Sequence, residues 1–139
     1  MEKKVAIVTG GATGIGAACV RTLAADGFYV GIHYRSSADK ARALLGEISD
    51  GFLLQADLAA TDEIDRMVGE IKETARTVDV LVNNAGQSVN ADIISMKLEQ
   101  FDAQRVLARG AWYLTKRILR QFMMRASRGR IINISSVAG

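Results

Sequence analysis

Short apolar runs alternate along this chain with longer segments of helical period, and that alternation narrows the fold more than any other feature of the 139 residues. Val5–Val8 is continuously apolar and ends at Thr9-Gly10-Gly11, the pattern of a strand buried on both faces that runs into a tight turn. Residues 15–25 then carry helical periodicity, closed by Asp26-Gly27, since glycine accepts the left-handed conformation common at helix ends. The same reading predicts strands at 28–34, 52–55, 80–83 and 130–134. Helices are predicted at 38–48, 62–76 and 98–125, the last leading through Ser127-Arg128-Gly129 into the fifth strand. Strict alternation implies a parallel sheet, because each parallel connection needs a crossover long enough to hold a helix. Right-handed crossovers then make a doubly wound α/β sheet of five strands, in the order 3-2-1-4-5, the economical topology. Ligands are expected beyond the carboxyl ends of such strands.

Composition agrees with a single globular domain. Hydrophobic residues make up 49% of the chain, enough for one core, while 24% charged residues and a net charge of +3 imply no nucleic-acid partner. Cys19 has no second cysteine to pair with, and no clustering of His and Cys offers a metal-binding spacing; no metal is expected. A reducing, cytoplasmic setting fits this cysteine usage. Thr9 to Gly16 interrupts the only apolar stretch near the start, so neither a secretory leader nor a membrane span is expected.

Thr9-Gly10-Gly11-Ala12-Thr13-Gly14-Ile15-Gly16 lies between the first predicted strand and the first helix, where backbone amides and the helix dipole favour a phosphate group. A plain strand-to-helix turn without a ligand is the alternative. The spacing departs from G-x-G-x-x-G, and the Lys followed by Ser or Thr that a P-loop requires is missing.

The turn resembles the T-G-x-x-x-G-x-G segment of the short-chain dehydrogenase/reductase family. Asn83-Asn84-Ala85-Gly86, after the fourth predicted strand, matches that family's N-N-A-G motif. The run Arg130-Ile131-Ile132-Asn133-Ile134-Ser135-Ser136-Val137 is similar to the family's fifth strand with its catalytic serine. The likeness spans the chain and, within the family, points to bacterial 3-oxoacyl-acyl carrier protein reductases, which reduce a carbonyl with NADPH. It implies that residues 1–139 form a Rossmann-type NADP-binding domain of an oxidoreductase, incomplete relative to the full family fold.

Coenzyme preference is expected to show at the end of the second strand. NAD binders usually place Asp or Glu there, whereas this chain reads Tyr34-Arg35-Ser36-Ser37 and has no carboxylate until Asp39. Arg35, with Ser36, offers charge-assisted donors to a 2′-phosphate, so NADP(H) is the expected coenzyme; a solvated loop cation is the alternative. The resemblance further implies that Gly10, Gly11, Ala12, Thr13, Gly14, Ile15 and Gly16 cradle the coenzyme phosphates. Asp57 and Leu58 would contact the adenine, and Asn84, Ala85 and Gly86 would line the ribose and nicotinamide side. Asp57 as a turn or capping residue, and Asn84 as a brace of the sheet, stay open.

For the chemistry, the resemblance implies Ser136 as the catalytic serine, with Ser135 its structural neighbour. The family also uses a Tyr as general acid and a Lys four residues later whose charge lowers the phenol's pKa. Tyr29, Tyr34 and Tyr113 are followed at that spacing by His33, Ala38 and Arg117, so the pair is missing from these residues. Where relatives carry a relay Asn in Asn-Leu-x-Gly, the chain reads Leu107-Ala108-Arg109-Gly110. Relatives hold the Tyr and Lys on a helix beyond the position of Gly139, and these 139 residues alone are expected to turn over negligibly.

His33 and Cys19 are read as structural. Lys116, Arg117, Arg120, Arg125, Arg128 and Arg130 read as a solvated cationic face rather than a dock for an acidic carrier protein. Trp112, Leu114, Ile118, Leu119, Phe122 and Met123 give the long helix more apolar surface than one sheet face requires. The resemblance places a subunit interface on that helix, and a homo-oligomer through it and through exposed sheet surface is expected. Two other readings remain: a non-catalytic nucleotide-binding or interaction module on the same fold, and a flavodoxin-like domain, against which the glycine turn and N-N-A-G argue.

Overall fold

A computed structural model describes residues 3–86 and 94–135. The apolar runs form strands β1 (Val5–Val8), β2 (Tyr29–Tyr34), β3 (Gly51–Gln55), β4 (Val80–Asn83) and β5 (Arg130–Asn133). All pairings are parallel and the order is β3-β2-β1-β4-β5, as the alternation predicts. Helices α1 (Gly14–Ala25), α2 (Ala38–Ile48), α3 (Thr61–Thr74) and α4 (Leu98–Ile118) form the crossovers.

Side chains on a strand alternate between faces, so a strand covered on both sides must be apolar throughout. In β1, Ala6 and Val8 pack with Val20, Val30, Ile32, Leu44 and Val82 beneath α1 and α2. Val5 and Ile7 meet Leu54, Ile64, Met67, Ile71, Leu81, Leu114 and Ile118 beneath α3 and α4. The central pairing of Ile7 with Gly31 and Leu81 aligns the carboxyl ends of β1, β2 and β4 at one edge.

Most boundaries coincide with the sequence reading, and all but one of the others differ by one or two residues. Helix α3 stops at Thr74 rather than 76, where Arg76 takes φ 68°, a left-handed conformation that ends a helix. The fourth helix differs more. It is α-helical only to Ile118, and Leu119–Met123 continue as a π-helical turn, with the Met124 amide donating to the Leu119 carbonyl at 2.9 Å. The wider turn carries Met123 into the core against Gly129, where a Cβ would lie 2.4 Å from the Met123 sulfur.

The apolar excess expected on this helix is mostly internal. Leu114, Ile118 and Met123 are buried, and Leu119 and Phe122 pack against the same core, leaving Trp112 of the six at 63% exposure. Other exposed apolar side chains lie elsewhere on α4, at Leu98 and Phe101, and on β5, where Ile132 faces outward while Ile131 joins the core. Among the described residues, no helix is long and apolar enough to cross a membrane, and no group of three His, Cys, Asp or Glu side chains is arranged to hold a metal ion.

Candidate functional site

The glycine turn is shaped by its neighbours. Thr9 is buried at the end of β1, and its Oγ1 accepts the amides of Asn84 at 2.9 Å and Ala85 at 3.0 Å. One hydroxyl thus joins the end of β1 to the N-N-A-G segment after β4. Asn84 Nδ2 donates to the Gly10 carbonyl at 3.1 Å, so Asn84 acts as a brace behind the turn. Gly10 has φ 58°, which favours glycine, and a Cβ there would meet Ala85 Cα at 3.0 Å. At Gly16 the constraint is space alone: a Cβ would lie 2.0 Å from the Gly10 carbonyl oxygen and 2.6 Å from Asn84 Nδ2.

The amides of the turn divide into two sets. Gly10 N–H donates to His33 Nδ1 at 3.0 Å and Gly11 N–H to the His33 carbonyl at 2.8 Å. Among the described residues, the amides of 12–16 have no such acceptor: Thr13 makes no side-chain cap and the first turn of α1 holds no acidic residue. Helices α2, α3 and α4 each carry Asp or Glu in that position. The start of α1 therefore presents uncapped donors and a positive dipole end, the arrangement that attracts an anion.

A cleft of about 220 Å³ opens beside the turn, lined by Gly10, His33, Arg35, Ala56, Asp57, Leu58, Ala85, Gly86 and Leu107. Six residues expected at the site from the sequence meet there: Gly10, Arg35, Asp57, Leu58, Ala85 and Gly86. Of the others outside the cleft lining, Gly11 and Gly16 are buried, Ala12 and Asn84 half-buried, and Thr13, Gly14, Ile15 and Ser36 exposed. Ser136 lies outside the described residues. A larger hollow, about 330 Å³, lies at the amino end of β5 around Met123 and Gly129, away from every one of these residues.

Arg35 is exposed, and its loop is anchored by Gln55 Nε2 donating to the Arg35 carbonyl at 3.0 Å. Among the described residues it has no ion-pair partner; Asp39, the next acid along the chain, pairs instead with Arg42 at 3.1 Å. Asp57 is a turn residue, the second role weighed for it, and it also faces the cleft. Its Oδ1 accepts the Ala59 amide at 2.9 Å while its own amide donates to Glu63 Oε1 at 3.1 Å, organising the turn into α3. Gly110 lets α4 press on this loop, since a Cβ there would lie 2.0 Å from the Leu58 carbonyl oxygen. That approach sets Leu107, a side chain with no proton to relay, in the cleft wall.

Two residues make bonds at the turn that the sequence does not reveal. Thr9, in sequence merely the start of the turn, has a hydroxyl that accepts two amides. His33 was read as structural, and it is buried, with Nε2 2.8 Å from the Ala56 carbonyl. Because Nδ1 accepts from Gly10, Nε2 carries the proton and donates to Ala56. Burial pushes the imidazole below its ordinary value of 6.5, opposed by the Ala56 carbonyl and the charge of Asp57. The signal available in the sequence was a polar residue inside an apolar strand. Asn83, the first residue of N-N-A-G, ties three elements together: its Nδ2 donates to Thr115 Oγ1 at 2.9 Å and to Asn133 Oδ1 at 3.0 Å.

A parallel sheet of this order, with an uncapped glycine turn after β1 and N-N-A-G after β4, defines a dinucleotide-fold protein, and the chain belongs to the short chain dehydrogenase family, which it matches over residues 4–139. It is 37% identical over 143 aligned residues to a 3-oxoacyl-[acyl-carrier-protein] reductase of Synechocystis sp., an alignment covering 100% of this chain and 58% of that protein. The crystal structure of a putative short-chain dehydrogenase/reductase from Sinorhizobium meliloti 1021 superposes with a TM-score of 0.89 at 35% identity, covering 99% of this chain and 65% of the other. A short chain dehydrogenase from Burkholderia cenocepacia J2315, in complex with NADP, gives a TM-score of 0.88 at 32% identity, covering 98% and 56% respectively. The chain thus spans little more than half the length of the curated relatives it matches.

Proposed function

We propose that these residues form the NADP(H)-binding part of a carbonyl reductase of the 3-oxoacyl-acyl carrier protein type. The observation that carries the reading is the pairing, beside one cleft, of uncapped amides at residues 12–16 with an Arg35 that has no ion-pair partner among the described residues. A 2′-phosphorylated dinucleotide needs both, and a carboxylate at the end of β2 would oppose it. Gly16, where a Cβ would meet the Gly10 carbonyl oxygen at 2.0 Å, lets the start of α1 pack directly on the turn and so holds the free amides in place.

In this reading the amides of residues 12–16 hold the diphosphate, while Gly10 and Gly11 shape the turn. Arg35 and Ser36 take the 2′-phosphate, Asp57 and Leu58 the adenine, and Asn84, Ala85 and Gly86 the ribose and nicotinamide side. Bound coenzyme supplies a hydride; these residues bind and orient it. Ser136 is the candidate to hold a substrate oxygen. With no Tyr-x-x-x-Lys in the 139 residues, the general-acid contribution, about a hundredfold to ten-thousandfold, is missing, and the isolated chain is expected to bind coenzyme without turnover. Leu107 in the cleft wall also favours a second reading, a coenzyme-binding module with no relay of its own. Exposed Leu98, Phe101 and Trp112 on α4 support a homo-oligomer, an idea that a monodisperse monomer in light scattering would end.

Calorimetric titration with NADPH and NADH tests the coenzyme reading. NADPH should bind more tightly, and Arg35→Ala should weaken NADPH alone by about tenfold to a hundredfold, the worth of charge-assisted hydrogen bonds at roughly 1.5–3 kcal/mol. Binding of neither coenzyme, or an equal loss for both, would overturn it.

A further inference from the structure

The first two amides of the glycine turn point away from the cleft mouth and onto one residue. Gly10 N–H reaches the His33 imidazole and Gly11 N–H the His33 carbonyl, while the far side of the ring reaches Ala56. His33 is 2% exposed at the end of β2, and its ring joins the turn after β1 to the end of β3 across 23 residues in each direction. Among the described residues no other side chain hydrogen-bonds to both segments.

We propose that His33 is a positioning residue for coenzyme binding: as the neutral Nε2–H tautomer it fixes Gly10, and so aims the following amides at the phosphates, and its protonation releases them. The proposal rests on the coenzyme reading above. Its basis is geometric. A proton on Nδ1 would set two donors, Nδ1–H and Gly10 N–H, against each other at a present separation of 3.0 Å, and the turn would have to move. The buried ring leaves little room for a compensating rotation, because Nε2 is held by Ala56 at 2.8 Å. Among the described residues, the titratable groups lining the same cleft are Asp57, whose charge favours the imidazolium, and Arg35; the β1 turn, residues 85–86 and α4 contribute Gly10, Ala85, Gly86 and Leu107. Burial outweighs Asp57 and keeps the ring neutral near neutral pH.

The test uses the 139-residue chain with NADP+ as probe, since it survives acid, and His33→Gln as a variant whose amide can accept and donate at similar spacing without titrating. Affinity is measured from about pH 8 downward for both forms, which share any titration of the coenzyme phosphate. As pH falls through the folded-state value of His33, which lies below 6.5, the wild-type affinity should fall away from the variant, with a limiting slope of about tenfold per pH unit for one linked proton. In the coenzyme-free wild type, ¹⁵N spectra should show Nε2–H at high pH, and the Gly10 amide should shift as His33 titrates. Parallel affinity curves, an Nδ1–H tautomer, or a Gly10 amide indifferent to the titration would each overturn the proposal. Failure of NADP+ to bind at about pH 8 would instead reject the coenzyme reading, and the spectra of the free chain would still judge His33.

Discussion

Replacing Thr9 with valine keeps the shape of the side chain and removes the hydroxyl that joins β1 to the segment after β4. The Asn84 and Ala85 amides, now 2.9 and 3.0 Å from Thr9 Oγ1, would lose their acceptor in a partly buried site. The Val82 carbonyl would lose only a long contact of 3.4 Å and would keep the Thr9 amide at 3.0 Å. Each stranded amide costs about 1–3 kcal/mol, and partial access to water favours the low end, so the loss should be roughly 2–4 kcal/mol. Against a total stability of about 5–15 kcal/mol that is a large fraction. In urea, with a slope of about 1–3 kcal/mol/M, the midpoint should fall by roughly 1–2 M. Thr9→Ser keeps the hydroxyl and loses one methyl, at a cost of about 1 kcal/mol. A valine variant within about 0.5 kcal/mol of wild type, or a serine variant equally damaged, would refute the reasoning.

Gly110→Ala should push α4 off the loop after β3, because its methyl would sit 2.0 Å from the Leu58 carbonyl oxygen. A stability loss of about 1–3 kcal/mol with weaker coenzyme binding is expected, checked by urea unfolding and calorimetry; an unchanged variant would mean the helix shifts freely. Stability should also depend on His33, whose value in the folded chain lies below 6.5. As pH falls, the unfolded chain takes up the proton first, so this contribution is complete above 6.5 and is lost as pH falls from there toward the folded value, then levels off. Urea midpoints of wild type relative to His33→Gln, followed across that window, should show the loss; a constant difference would count against it.

The sheet was readable because its chemistry is local. Four apolar residues at Val5–Val8 and a glycine turn beyond them leave few options for β1, and the same logic serves β2 to β4. The π-helical turn was not readable, since Leu114, Ile118 and Phe122 continue an ordinary helical period through Leu119–Met123. The wider turn goes with close packing of Met123 on Gly129, a contact that exists only once β5 has docked. The candidate site divides the same way. Arg35, Asp57 and the N-N-A-G segment stand at strand ends, which the alternation locates. The bonds of His33 and Thr9 depend on partners brought close by sheet order, Ala56 for one and Asn84 and Ala85 for the other. Leu107 reached the cleft through the close approach of Gly110 to Leu58, a packing fact with no local signature.

In the proposed function, the opening of α1 and Arg35 together hold a coenzyme with a phosphate on its adenosine ribose. A crystal structure of the chain grown with NADP+ tests it most directly. The diphosphate should lie against the amides of residues 12–16 with the 2′-phosphate in reach of the Arg35 guanidinium. Coenzyme bound elsewhere, or seated in the cleft with that phosphate turned away from Arg35, would contradict it.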